Sequence, residues 1–365
     1  MKKRFFAVVV TASLLLGGCG ASNSESDASA AGLPTTAAAT PEATQTSEAV
    51  ELPDPHTMTG LTEAASLPDP QPLDDDYPQK LPAAVTDAEG RSVTVTDTSR
   101  VLALDLYGTL SRTVISLGYG ENLVGRTVSS TEEQLADLPV VTENGHSLNA
   151  EAVLSLNPTL IIADRSIGPT EAIEQLRSAG IPVVIVDSER SIDTNTELIE
   201  QIANSLGVPE AGAALAERTE QETQAALDQI AQWTPEVPLA AAFLYVRGTA
   251  SVFFILGAEE GADALITSLG ATDVATANGI TTTTPANAES LVALNPEVIL
   301  TMTEGLASAD GLDAFLARPG VSQTRAGQNS RVVAIPDGIA LSFGPQTGDI
   351  LLSIARAIYG VEDPR

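Results

Sequence analysis

Side chains that could hold a transition metal through nitrogen or sulfur are few in this sequence. Its 365 residues include two histidines and one cysteine, too few for a zinc site, an iron-sulfur cluster, a Cys-x-x-Cys-His haem attachment or a disulfide framework. Any metal bound here is held by very few protein ligands. In Tyr245-Val246-Arg247-Gly248 an extended chain turns Phe243, Tyr245 and Arg247 to one side, which sets a guanidinium beside a phenol. A cation there favours the phenolate, a hard anionic ligand suited to ferric iron; the alternative is a strand aromatic packed in a core. His146 lies in the polar loop Glu143-Asn144-Gly145-His146-Ser147, where an imidazole is either a metal ligand or a solvated side chain. His56, next to Pro55, reads as a solvated tail residue without a role.

The elements that must position these residues are legible as patterns. Val101–Leu104, Leu160–Ala163, Val183–Val186, Leu239–Val246, Val298–Thr301 and Val332–Ile335 are apolar runs of strand length. Thr170–Ala179 and Asn195–Leu206 carry apolar residues at helical spacing. The alternation predicts an α/β fold with largely parallel, buried sheets. Tyr245 closes one of these strands, and in open parallel sheets ligands lie beyond the carboxyl ends. A repeat organises the region: residues 148–164, LNAEAVLSLNPTLIIAD, align without gaps to residues 286–302, ANAESLVALNPEVILTM, with seven identities at an offset of 138. Each copy predicts an Asn N-cap (Asn149, Asn287), a glutamate near the positive helix end (Glu151, Glu289), and an Asn-Pro that stops the helix and launches a strand. Between the copies, Glu210–Trp233 has Gly212 as its one glycine and no proline; as one helix it spans about 36 Å. The expected organisation is two Rossmann-like lobes, 81–207 and 237–365, joined by a long rigid helix over 208–236.

The chain ends and the charge set the compartment and exclude several functions. Lys2, Lys3 and Arg4 precede an apolar stretch, Phe5–Leu16, shorter than the ~20 residues a spanning helix needs, so residues 1–18 read as a signal peptide. Its end, Leu16-Gly17-Gly18-Cys19, resembles a bacterial lipobox, which implies that Cys19 is lipidated and tethers an extracytoplasmic protein to the outer face of the membrane. Residues 19–80 are rich in Pro, Ala, Ser, Thr and acids and read as a disordered stalk. The formal charge of -30 repels nucleic-acid backbones. No Gly-x-Ser-x-Gly, His-Glu-x-x-His or Gly-x-x-x-x-Gly-Lys segment is present, which argues against an exported enzyme. A structural surface lipoprotein would leave the duplicated lobes unexplained.

Two such lobes behind a lipoprotein leader resemble the periplasmic binding proteins that feed siderophore, cobalamin and haem ABC importers; the likeness runs from about Val85 to Tyr359. Within that family the chain is similar to haem-uptake lipoproteins of the HmuT type. The resemblance implies that His146 and Tyr245 are axial ligands to ferric haem b, carried as cargo, with Arg247 stabilising the phenolate. Met302 becomes either a soft contact to the porphyrin or core filling, and Arg126 and Arg165 either partners of the propionates or surface charges. Tyr107 and Tyr119 are weaker cleft candidates. Glu151 and Glu289 become the docking points for a dimeric permease with its ATPase, and the protein a monomer. A ferric siderophore or cobalamin is the alternative cargo.

Overall fold

The computed structural model describes residues 52–250 and 252–362; the leader, Cys19 and the first part of the expected stalk lie outside them. Strand β1 (Leu61–Glu63) comes first, then the hairpin β2 (Ala83–Thr86) and β3 (Ser92–Val95). The first lobe continues with β4 (Val101–Leu104), α1 (Thr109–Val114), the short antiparallel pair β5 (Thr142–Glu143) and β6 (Ser147–Leu148), and α2 (Ala150–Ser155). It ends with β7 (Leu160–Ala163), α3 (Thr170–Ser178), β8 (Val183–Ile185) and α4 (Asn195–Leu206). Strands β4, β7 and β8 form a parallel sheet buried along its whole length, which is why their sequences are unbroken apolar runs.

Helix α5 (Pro209–Ile230) joins the lobes. It starts on a proline, which has no N–H to leave unpaired in the first turn. Its 22 residues are fewer than the 29 of the expected span. A Cβ on Gly212 would stand 2.5 Å from the Cβ of Ala203, so the glycine sits where α5 crosses α4 at close range.

The second lobe holds β9 (Ala240–Arg247), β10 (Val252–Ile255), α6 (Ala262–Ser268), β11 (Thr272–Asp273), α7 (Val274–Ala277), β12 (Thr284–Pro285) and α8 (Ala288–Leu294). It is completed by β13 (Val298–Met302), α9 (Thr303–Ser308), α10 (Gly311–Leu316), α11 (Arg325–Gln328), β14 (Val332–Ile335) and α12 (Thr347–Tyr359). Its sheet runs β1-β14-β13-β9-β10-β12, with β11 also on β9. β1, β14, β13 and β9 are parallel, and β10 turns back antiparallel on β9. Helix α5 packs on α4 of one lobe and α12 of the other.

The repeat folds as its residues dictate. Asn149 Oδ1 accepts from Ala152 N at 3.0 Å and Asn287 Oδ1 from Ser290 N at 2.9 Å. Asn157 and Asn295, the two helix-stopping asparagines, both take left-handed backbone, with φ 47° and 43°, a conformation asparagine tolerates better than most residues.

The expected stalk is corrected: residues 52–80 pack on both lobes. β1 pairs with β14, and the buried Arg331 ties it down by donating to Thr62 Oγ1 at 3.0 Å and to Ile358 O at 2.6 Å. Leu67 packs on the second-lobe core, Leu73 and Tyr77 on the first. Asp69 accepts from Glu133 N and Gln134 N at 2.7 and 2.8 Å. The Pro-rich composition hides this because the segment's bonds go to distant residues. His56 is no solvated tail: Nδ1 bonds Glu297 Oε1 and Nε2 bonds Val237 O, each at 3.0 Å.

Candidate ligand-binding site

Strand β9 pairs with β13 over Ala241–Phe243 and with β10 over Leu244–Arg247, so the β9–β10 ladder holds its carboxyl end. Tyr245 and Arg247 share a face there, as their alternation predicts. Tyr245 is half-buried, packed at the edge of the second-lobe core together with Met302. The Arg247 guanidinium lies over the Tyr245 ring, 5.0 Å from its centroid. It also forms an ion pair with Asp337 and approaches Met302 Sδ at 3.6 Å. The cation therefore lies beside the phenol by stacking on its ring, and it shares its charge with a carboxylate that the sequence does not reveal. Asp337 is fixed in turn by Glu304 N, which donates to its Oδ1 at 2.9 Å. A Cβ on Gly305 would come within 2.6 Å of Arg247 Nη1 and 2.7 Å of Val246 O. Only glycine lets α9 approach that closely. Asp337 is not evident from sequence, although its place just beyond β14, beside Pro336, is a strand carboxyl end of the kind that hosts ligands.

On the first lobe, His146 sits in the β5–β6 turn, where Asn144 and Gly145 take φ 51° and 87°. Its backbone O accepts from Gly168 N at 3.0 Å. The imidazole is exposed and has no hydrogen bond or ion pair among the described residues. Arg126 is half-buried and donates to Ser130 O at 3.3 Å. Arg165 is paired with Glu89 in the β2–β3 turn, a carboxylate shared with Arg91 and Arg177. Leu106, just beyond β4, and Val128, two residues past Arg126, are 39% and 50% exposed. They leave apolar surface on the first-lobe loops that sequence alone does not flag. Tyr107 packs against the same second-lobe core as Tyr245 and Met302, which places it where the lobes meet. Tyr119 lies elsewhere, beside Asp76 and Gln79.

The lobes touch through tight contacts. A Cβ on Gly338 would collide with Thr131 Oγ1. Arg112 donates to Gln346 at 2.5 Å and Asn195 to Thr347 at 2.9 Å. Among the described residues no three His, Cys, Asp or Glu side chains gather into a metal site. Glu151 and Glu289 are exposed in the first turns of α2 and α8, with no ion pair among the described residues.

Residues 106–338, most of both lobes and the helix between them, match the family model described as periplasmic binding protein. The chain belongs to this family. The relatives it resembles are heme-binding proteins and an ABC transporter substrate-binding lipoprotein, not enzymes. A solved structure, "heme binding protein HmuT", is 51% identical and superposes with a TM-score of 0.83 over 85% of this chain and 100% of that one. Forms of it with one histidine, one tyrosine or one arginine substituted are equally similar, each 51% identical. The periplasmic heme-binding protein RhuT from Roseiflexus sp. RS-1 is 35% identical, with a TM-score of 0.67 over 72% of this chain and 99% of that one. The ABC transporter substrate-binding lipoprotein YvrC of Bacillus subtilis is 24% identical over 282 residues, 76% of this chain and 86% of that protein.

Proposed function

We propose that this protein captures ferric haem b between its lobes, with Tyr245 and His146 as axial ligands, and delivers it to an ABC permease and its ATPase. The observation that carries this reading is an unpartnered imidazole on one lobe and a half-exposed tyrosine on the other, with no cluster among the described residues able to hold a bare ion. A metal that brings four nitrogens of its own needs only two protein atoms. The histidine, tyrosine and arginine substituted in the forms of HmuT stand in the same order and at the same separations as His146, Tyr245 and Arg247. Arg247 holds the Tyr245 ring, Met302 borders the porphyrin, and Arg126 receives a propionate; a propionate reaching Arg165 competes with Glu89. Cys19 carries the lipid that tethers the protein outside the membrane.

A hemin titration followed in the Soret region tests the ligands. Tyr245→Ala removes the tyrosinate charge-transfer feature and weakens binding more than His146→Ala, because an anionic oxygen contributes more to Fe(III). Unchanged spectra in both variants would sink the assignment, and would favour a siderophore or cobalamin as cargo.

Glu151 and Glu289 are the docking points for the permease, one on each lobe at matching repeat positions. Loss of a desolvated interfacial charge costs about 2 kcal/mol or more, so Glu151→Ala with Glu289→Ala abolishes haem-dependent uptake by cells while hemin binding by the purified variant stays normal. Intact uptake, or lost hemin binding, counts against this role.

A further inference from the structure

We infer that Asp164 and Ser166 are positioning residues for His146, pinning the loop that presents its imidazole. The inference rests on the reading of His146 as a ligand. Asp164 is fully buried at the end of β7. One carboxylate oxygen forms an ion pair with Arg190; the other accepts from Ser166 N at 2.9 Å and from the Ser166 hydroxyl. That hydroxyl in turn accepts from Leu106 N at 2.9 Å, so its single proton is directed at Asp164. Two residues on, Gly168 brackets the histidine: its N donates to His146 O at 3.0 Å and its O accepts from Leu148 N at 2.6 Å. The imidazole has no partner of its own, so the backbone alone decides where it points.

Nothing in the repeat requires an acid at this place. Asp164 aligns with Met302, the last residue of β13, whose side chain packs on the same core as Tyr245. At this repeat position the acid belongs to the lobe whose ligand sits on a turn; the lobe whose ligand sits on the β9–β10 ladder has a methionine there.

The substitution Asp164→Asn leaves an amide with one acceptor oxygen in place of two, which cannot serve both Arg190 and Ser166. The test uses Asp164→Asn and the milder Ser166→Ala, which removes the hydroxyl without unpairing Arg190. In the ligand-free protein, hydrogen exchange of the Gly168 and Leu148 amides is expected to accelerate about tenfold or more in both variants, while β9 amides keep their protection. With hemin, Asp164→Asn is expected to lose the histidine-ligated signature as His146→Ala does, to keep the tyrosinate band, and to bind roughly tenfold more weakly. Unchanged exchange at Gly168 and Leu148 in both variants would overturn the inference. So would a wild-type hemin spectrum in both alongside an altered one in His146→Ala. If His146→Ala itself leaves the spectrum unaltered, the ligand assignment fails, and the exchange measurement still decides the positioning.

Discussion

Each lobe lays an arginine against a tyrosine ring at nearly the same distance, 5.3 Å for Arg190 on Tyr107 and 5.0 Å for Arg247 on Tyr245, and the two groups differ in everything around them. Arg190 is enclosed, paired with Asp105 at 3.5 Å and with Asp164, and donates to Asp187 O at 2.8 Å. Burial pushes the Tyr107 phenol up to about 12, against the pull of Arg190, and the Asp164 carboxyl up to about 6. Arg247 is one-third exposed and has one carboxylate, Asp337. The same residue types therefore build structure where they satisfy one another in a dry interior, and leave a site where one edge stays open. The two histidines divide in the same way: both nitrogens of His56 are engaged, those of His146 are not. Engaged groups should reveal themselves in stability and open ones in ligand binding.

The largest test of that division is Arg190→Met. Removing one partner of a buried ion pair leaves an uncompensated charge and costs about 3–5 kcal/mol, to be read from urea denaturation. Asp105 and Asp164 keep their hydrogen bonds from Gly108, Thr109 and Ser166 but lose their cation, and burial without it raises their affinity for protons. The folded state binds more protons than the unfolded one, so the variant recovers stability as pH falls. A loss under about 1 kcal/mol, or a deficit that grows in acid, would break the comparison.

Arg247→Ala should lie at the opposite pole. An ion pair this exposed contributes about 0–1 kcal/mol, so thermal stability should change little. The effect should appear in the haem complex: without the cation the tyrosinate is protonated more easily, and the charge-transfer band is lost at higher pH than in the wild type as acid is added. Coincident acid titrations would reduce Arg247 to a packing residue.

Much of the fold is legible in the sequence, and what is not has a common cause. The unbroken apolar strands β4, β7 and β14 have the bounds their composition predicts, and α4 begins and ends where its periodicity does. Periodicity and capping are local signals, and so is the Asn-Pro stop. The alternation that aims Tyr245 and Arg247 the same way is local too. Residues 52–80 defeat a reading by composition because their order depends on distant partners: Arg331, Asn329 and Ala334, more than 250 positions from β1, and Glu133 and Gln134, 64 and 65 positions from Asp69. Asp337 and Arg190 stay hidden for the same reason: each matters through a partner brought by another strand end. The β9–β10 antiparallel turn is also invisible, since Val252–Ile255 is too short to show a period.

The smallest expected effect belongs to His56. Its hydrogen bond to Glu297, more than the backbone carbonyl of Val237, raises the imidazole above its ordinary 6.5, and the same contact helps hold Glu297 low. Glu297 also pairs with Arg325 and accepts from Ala240 N at 2.9 Å, so the clasp joins the N-terminal segment to the start of β9. A group whose folded pKa is raised contributes fully below its unfolded value and loses that contribution as pH rises through the folded one. His56→Ala should therefore cost on the order of 0.5–1 kcal/mol at pH values below about 6.5 and progressively less above it, measured as the difference from wild type in chemical denaturation. Hemin binding should be unaltered, because both ring nitrogens are already engaged far from the carboxyl ends of the strands. A deficit that grows with pH would mean that the neutral imidazole makes the contact. A shifted hemin spectrum would mean that the division between engaged and open groups fails at its plainest pair, since His56 and His146 are the same side chain in two surroundings.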